Sequence, residues 1–139
     1  MAFFPQQFFL PTIGGHAAGY WEAARAHRLA LQRCADCGAW RHPPAPVCWR
    51  CRSFNYEYAP VSGRGTVFSY TFVHQELMPE LAGATPYNVV LVELEEVPDL
   101  RLVSNLIDTP DAEIRVGLPV EVVFEDITEE VTLPRFRRR

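Results

Sequence analysis

The sequence predicts a mainly β chain: an N-terminal helix, a zinc ribbon and a five-stranded barrel. Three features lead there. The four cysteines of this 139-residue chain fall as two CxxC pairs, Cys34/Cys37 and Cys48/Cys51, with ten residues between them. Past residue 60 the chain becomes a succession of short runs rich in Val, Tyr, Phe and Thr, separated by Gly, Pro and Asp turn signals. A single stretch, at about 17–27, has helix-forming composition. With 48% hydrophobic residues the chain can bury one real core and a small satellite, not two large domains. The expected boundaries are 1–27 for an N-terminal arm and helix, 28–59 for the ribbon, 60–134 for the barrel and 135–139 for a basic tail.

The arm comes first. Phe3, Phe4, Phe8, Phe9 and Leu10, with Pro5 and Pro11, are too aromatic for a solvated tail and too proline-rich for a helix. They are expected to lie in a groove on this chain or on a partner. After Gly14 and Gly15, "HAAGYWEAARAH" places Tyr20, Trp21 and Ala24 on a single apolar stripe expected to pack on the ribbon.

From Arg28 to Arg33 the pattern alternates, with Leu29 and Leu31 on one face of a strand that delivers the first CxxC knuckle. Each CxxC turn aims two thiolates to one side, and two such turns make a closed tetrahedral S4 site of the kind structural Zn2+ prefers. No position stays open for water, so the metal is expected to hold the fold. Two disulfides are the alternative, disfavoured because "MAFFPQQFFLP" lacks the basic start and small-residue cleavage site of a secretory signal. Iron in the same S4 site is not separable from zinc by spacing; purified protein would be red with ferric iron and colourless with zinc. The expected location is cytoplasmic, where thiols stay reduced. The prolines of "HPPAPVC" stiffen the crossing between knuckles.

The rest reads as strands at 65–74, 87–96, 100–108 and 118–127, with a short fifth run at 130–134. One of these runs is nearly continuously apolar, which predicts burial on both faces. Five short strands of this kind fit a small closed barrel, an OB-fold.

Charge is uneven. Residues 1–60 carry six Arg against Glu22, Asp36 and Glu57; residues 61–134 carry three Arg against fourteen acids; four more Arg close the chain. An acidic barrel argues against nucleic-acid binding, which needs a basic face to displace phosphate counterions. No apolar run reaches the roughly 20 residues of a membrane span. Catalytic signals are sparse. His16, His27, His42 and His74 have no partner at motif spacing, and no GxSxG or phosphate loop is present. His74 with Glu76 is the least implausible acid/base pair. The ending "VTLPRFRRR" reads either as a solubilising tail or as a docking arm, with Phe136 filling a partner's pocket and Arg135 meeting carboxylates or phosphates.

The segments "YWEAARAHRLALQRCADCGAWRHPPAPVCWRC", "VSGRGTVFSYTFVH", "PYNVVLVELEE", "LRLVSNLID" and "VGLPVEVVFEDITEEVTLPRF" resemble the acyl-CoA-associated zinc-ribbon/OB-fold family known as domain of unknown function thirty-five (DUF35), over about residues 20–137. The resemblance implies a helical segment, a rubredoxin-like ribbon and an OB-fold, with Cys34, Cys37, Cys48 and Cys51 holding one structural Zn2+. It implies a non-catalytic subunit of a thiolase-like or lipid-transfer-protein-like enzyme in a hetero-oligomer. That enzyme would make thiolytic or retro-aldol cleavages of CoA thioesters, as in steroid side-chain degradation; an enoyl-CoA hydratase is the alternative partner. The subunit would stabilise the enzyme and help form its acyl-CoA channel. Against this family's frequent Cys-Pro-x-Cys knuckle, Trp49 follows Cys48 here, which offers Trp49 as an interaction side chain. Phosphates of CoA, or carboxylates of the partner, would then be met by Arg33, Arg41, Arg50 and Arg52 of the ribbon. A nucleic-acid module and an electron carrier are the rival classes.

Overall fold

The computed structural model describes residues 9–139. Of the aromatic arm, Phe3, Phe4, Pro5 and Phe8 lie outside the described residues, whereas Phe9 and Leu10 are exposed. A 3-10 turn at Gly15–Ala17 leads into helix α1 (Ala18–Arg25). The ribbon contains β1 (Ala30–Cys34), β2 (Trp40–Arg41) and β3 (Tyr56–Pro60). The barrel contains β4 (Arg64–Val73), β5 (Tyr87–Leu94), β6 (Val97–Ser104), β7 (Pro119–Asp126) and β8 (Thr132–Arg138).

Helix α1 stops two residues before the predicted end because His27 adopts a left-handed φ of 57°. The Arg28 amide reaches back to the Ala23 carbonyl (2.9 Å) and the His27 amide to that of Ala24 (2.8 Å), the paired closure of a Schellman motif. Tyr20, Ala23 and Ala24 form the buried stripe, at spacings of three and four. Trp21, predicted on that stripe, is half-buried beside it and meets the Tyr20 ring edge-on with centroids 5.0 Å apart. The helix packs on β8 as well as on β1, so it spans the junction of ribbon and barrel. Gly19 lets the helix also lie close against β3: a Cβ there would sit 2.2 Å from the Tyr58 ring.

The ribbon sheet has order β2-β1-β3, all antiparallel, with Cys34 opposite Tyr56 and Gln32 opposite Arg41. Fully buried Gln32 exchanges two hydrogen bonds with the backbone of Ala45, both 2.8 Å, and so ties the proline loop to β1.

The barrel sheet has order β6-β5-β4-β7-β8. It closes where Leu106 and Phe136 bridge in parallel, with the Ile107 amide donating to the Phe136 carbonyl (2.8 Å) and the Phe136 amide to that of Asn105 (3.1 Å). The parallel bridge joins β8 to the segment just past β6, so among the described residues the two edges of the sheet pair only there, as in a partly open OB barrel. A bulge between Val67 and Ser69 in β4 bends the longest strand around the core. Leu29, Leu31 and Tyr20 join Val67, Val90, Val92, Leu94, Val120 and Phe136 in one hydrocarbon cluster, so the first ribbon strand is rooted in the barrel core.

Three sequence expectations are corrected. β5 is fully buried along Asn88, Val90, Val92 and Leu94, while Tyr87, Val89, Leu91 and Glu93 are half-buried: its outer face borders a surface groove rather than another layer. The third barrel strand begins at Val97, not 100, because the turn is Glu95–Glu96 and "VPD" is strand. Pro98 is tolerated there because β6 is an edge strand. Last, 135–139 is no tail. β8 continues past Pro134 to Arg138, with Phe136 opposite Val122 and Arg135 opposite Val123. Pro134 likewise sits on an edge strand, where a missing N–H is tolerated.

Candidate metal centre and ligand-facing surfaces

The four cysteine sulfurs lie within 4.8 Å of one another. The Sγ atoms of Cys34 and Cys51 are 3.5 Å apart, and those of Cys37 and Cys48 are 3.6 Å apart. Tetrahedral zinc with bonds of about 2.3 Å requires sulfur pairs separated by about 3.8 Å. Both pairs lie close to that spacing, so the four thiolates suit one Zn2+ with all four ligands supplied by the protein.

The two knuckles are near copies. Gly38 donates its amide to the Cys34 carbonyl and Arg52 to that of Cys48, each at 3.0 Å. Both residues are left-handed, with φ of 76° and 64°. Glycine takes that conformation without strain, whereas arginine does so at a cost. Amides also point at the sulfurs: Cys37 at Cys34 (3.5 Å), and Arg50 and Cys51 at Cys48 (3.4 and 3.5 Å). The Cys37 amide foremost holds the Cys34 thiol below its usual range, and the Cys51 amide foremost brings Cys48 down to about 6. Cys51 moves to about 12: the Ser53 amide favours its thiolate, but desolvation and the three neighbouring sulfurs together outweigh that. Four adjacent thiolates need a cation, and a dication relieves their repulsion. Around the centre, Asp36 accepts bonds from Ser53 and Asn55, closing the second knuckle onto the first.

The arginines differ sharply. Arg33 is exposed, bonds the Gly38 carbonyl at 3.0 Å and covers Trp40 with its guanidinium carbon 5.0 Å from the ring centroid. Arg50 and Arg52 are exposed. Arg41 is 3% exposed and rests on the Tyr56 ring at 5.5 Å. Trp49 is 71% exposed, with its indole N–H donated to the Trp40 carbonyl at 3.0 Å.

Arg135 and Phe136 are not a docking arm. Phe136 is 0% exposed, because in strand register its ring points into the barrel. Arg135 is buried beside Glu125 (3.5 Å) and donates to the Asn105 side chain. The remaining three arginines pair with barrel carboxylates: Arg137 with Glu121 (2.9 Å), Arg138 with Glu113, and Arg139 with Glu95 (3.6 Å). Strand pairing thus returns the terminal positive charge to the acidic barrel.

The histidines lie apart and do not converge on one site. The His16 carbonyl accepts the Tyr58 hydroxyl. His27 bonds Asp126 at 2.9 Å and stacks on Phe124 at 5.3 Å. Burial pushes His42 down to about 4, leaving a neutral ring 5.2 Å from that of Tyr20. His74 follows the end of β4 on the exposed side, while Glu76 accepts the Gly83 amide at 3.2 Å; no hydrogen bond joins them among the described residues.

The aromatic arm calls for a groove that the sequence does not place; the structure shows two surface hollows, the second of which Phe9 borders. One, of ≈ 570 Å³, lies between the 40–50 segment of the ribbon and the β5–β6 hairpin. The other, of ≈ 490 Å³, is a largely apolar groove bordered by Tyr20, Trp21, Leu81, Val89 and Val103. Each joins residues more than 45 positions apart, so only topology reveals them. Among the described residues no helix is long and apolar enough to cross a membrane.

A closed four-cysteine ribbon followed by an OB barrel defines a metal-stapled β scaffold. Family models agree in both halves: residues 21–57 match the ChsH2 rubredoxin-like zinc ribbon domain and residues 58–125 the ChsH2 C-terminal OB-fold domain. The chain is similar to the probable enoyl-CoA hydratase alpha subunit of Thermomonospora curvata, with 42% identity over 91% of this chain. It is also similar to the 3-oxo-4,17-pregnadiene-20-carboxyl-CoA hydratase alpha subunit of Mycobacterium tuberculosis, with 36% identity over 90% of this chain. It spans 39% of the length of each of these relatives. Among solved structures, the Ltp2-ChsH2(DUF35) aldolase matches with a TM-score of 0.80 and 41% identity, covering 93% of this chain and 98% of that one. The chain belongs to the ChsH2/DUF35 family of zinc-ribbon/OB-fold subunits.

Proposed function

We propose that this chain is a non-catalytic accessory subunit of a thiolase-superfamily enzyme that cleaves a carbon-carbon bond in a CoA thioester by thiolysis or retro-aldol reaction, steroid side-chain thioesters being the favoured substrates. The observation that carries this reading is the likeness to the DUF35 chain of an aldolase complex, which this chain covers almost end to end. The geometry is in keeping with it: four cysteines would enclose the metal, and the His27 and His42 rings are engaged in hydrogen bonding and packing. Stabilising the enzyme and completing its acyl-CoA channel are the roles we assign. Arg33, Arg41, Trp49, Arg50 and Arg52, all on the ribbon, are the residues proposed to touch CoA or the partner. The cytoplasm is the proposed location.

An enoyl-CoA hydratase partner is the second reading, favoured by identity to two hydratase alpha subunits across nine-tenths of this chain. Purifying the tagged chain from its source and weighing the intact complex by native mass spectrometry tests both. A fixed-ratio complex with a thiolase-fold enzyme is expected. A hydratase in its place selects the second reading, and nucleic acid as the sole companion overturns both.

A further inference from the structure

The ≈ 490 Å³ groove brings together helix α1, the 77–81 segment and strands β5, β6 and β8. None of the ribbon residues proposed to touch CoA or the partner borders it. Trp21, Leu77, Met78, Val89 and Val103 do, and Leu77 and Val103 are 64% and 69% exposed. Among the described residues Arg135 is the one charged group on its rim, and that guanidinium is engaged by Glu125 and Asn105. A charged occupant would give up its hydration with no counter-charge to meet, so the groove suits an apolar, uncharged one. Left bare, an apolar surface of this kind invites association.

The sequence supplies such an occupant next to the groove. Phe9 borders it, and the preceding residues, 1–8, carry three phenylalanines and no Asp, Glu, Lys or Arg. Fully extended, eight residues reach up to about 26 Å from Phe9. A phenylalanine ring buries on the order of 150 Å² or more, and Pro5 reduces the conformational freedom lost on docking. A segment tethered this closely is present at an effective concentration on the order of millimolar, which a separate partner lacks. Phe9 itself takes a left-handed φ of 49°, a conformation that a bulky residue holds only where the surrounding structure fixes it. The arm thus joins the described fold at a held point on the rim of the groove.

We propose that residues 1–8 dock in this groove of their own chain, with phenylalanine rings against Leu77, Val89 and Val103. The arm then covers the apolar surface, and any other occupant must first displace it. This goes beyond the accessory-subunit reading and does not depend on it.

The test is methyl NMR on the full, zinc-loaded chain, reading nuclear Overhauser contacts from the ring protons of Phe3, Phe4 and Phe8 to the methyls of Leu77, Val89 and Val103. Such contacts are expected within one molecule and at every protein concentration. Their absence overturns the proposal; so do contacts found only between differently labelled molecules, which mark docking on a second copy. Val103→Asp, at an exposed site, puts an unpaired charge in the groove and should abolish the contacts at Leu77 and Val89. It should also speed chymotryptic cleavage after Phe8 roughly tenfold or more, because cleavage follows the population of the undocked arm. Val116→Asp, 66% exposed and outside the groove, should change neither, and an equal acceleration there overturns the proposal. Replacing Phe3, Phe4 and Phe8 together by Gln leaves the described residues intact, and should remove the ring-current shifts of the same three methyls. Methyl signals indifferent to that variant contradict docking even if Val103→Asp fails to fold. No enzyme or CoA thioester enters the measurement, so its failure is distinct from failure of the accessory-subunit reading.

Discussion

The ribbon and the barrel answer the same problem, holding short β strands together, with opposite resources. The ribbon's own cluster consists of Cys34, Ala39 and Cys48, with Cys37 packed against it: almost no hydrocarbon, and a sulfur cage instead. The barrel shares one cluster that runs from Val67 through Leu94 and Leu118 to Phe136. A small β unit without an apolar core needs a metal, and a closed sheet with one does not. Charge follows the same division, since the ribbon's arginines face outward or line the hollow between ribbon and barrel while the barrel's terminal arginines are consumed by its own carboxylates. Stability in one region therefore depends on metal, and in the other on burial.

The sharpest way to break that contrast is to remove the metal. Structural zinc in small ribbons and fingers is worth about 10–16 kcal/mol. Chelation, or Cys48→Ser, should release the amides of β2, β3 and the knuckles to hydrogen exchange while β4–β8 stay protected. Uniform loss of protection across both regions would show that they fold as a single metal-dependent unit. Leu29 and Leu31 mark the expected limit of the damage, because they belong to the barrel cluster.

The converse substitution is Phe136→Ala. Emptying a fully buried aromatic position at the seam should cost about 3–5 kcal/mol in denaturant unfolding and leave zinc affinity unchanged. A tail residue would show no such loss. Next in size is Gly65→Ala, where the new Cβ would stand 2.3 Å from the Glu93 carbonyl of the neighbouring strand. Crowding of that kind costs about 1–3 kcal/mol, visible as a lower barrel melting temperature.

The smallest effect concerns the clasp between the end of α1 and β7. The Thr132 hydroxyl first, then the His27 ring, hold the Asp126 carboxyl below its ordinary value. A depressed carboxyl stabilises the fold above its unfolded value, about pH 4, and loses that contribution as pH falls through the lower folded value. Both side chains are more than half exposed, so screening keeps the effect of Asp126→Asn under about 1 kcal/mol at neutral pH. Stability curves of the two proteins should converge below pH 4, and parallel curves would remove the clasp from the account.

What the sequence made legible follows from how local each signal is. CxxC spacing and the β-rich runs are short-range, and the sulfurs and strands lie where those patterns place them. Prolines misled twice for one physical reason. Pro98 and Pro134 read as strand stops, yet both sit on edge strands, where a missing N–H breaks no ladder bond. Arg135 and Phe136 looked like a tail because their partners, Glu125, Asn105 and Val122, became neighbours only on barrel closure. Arg41 was legible as a basic residue of the ribbon; its burial beneath a cleft walled by the 96–101 hairpin was not.

The measurement that bears most directly on the accessory-subunit account is the turnover of the purified partner enzyme on its CoA thioester, alone and with one equivalent of this chain. The account predicts little or no carbon-carbon cleavage by the enzyme alone and full activity on addition of the zinc-loaded chain, while this chain alone turns over nothing. An enzyme equally active with and without it would contradict the account.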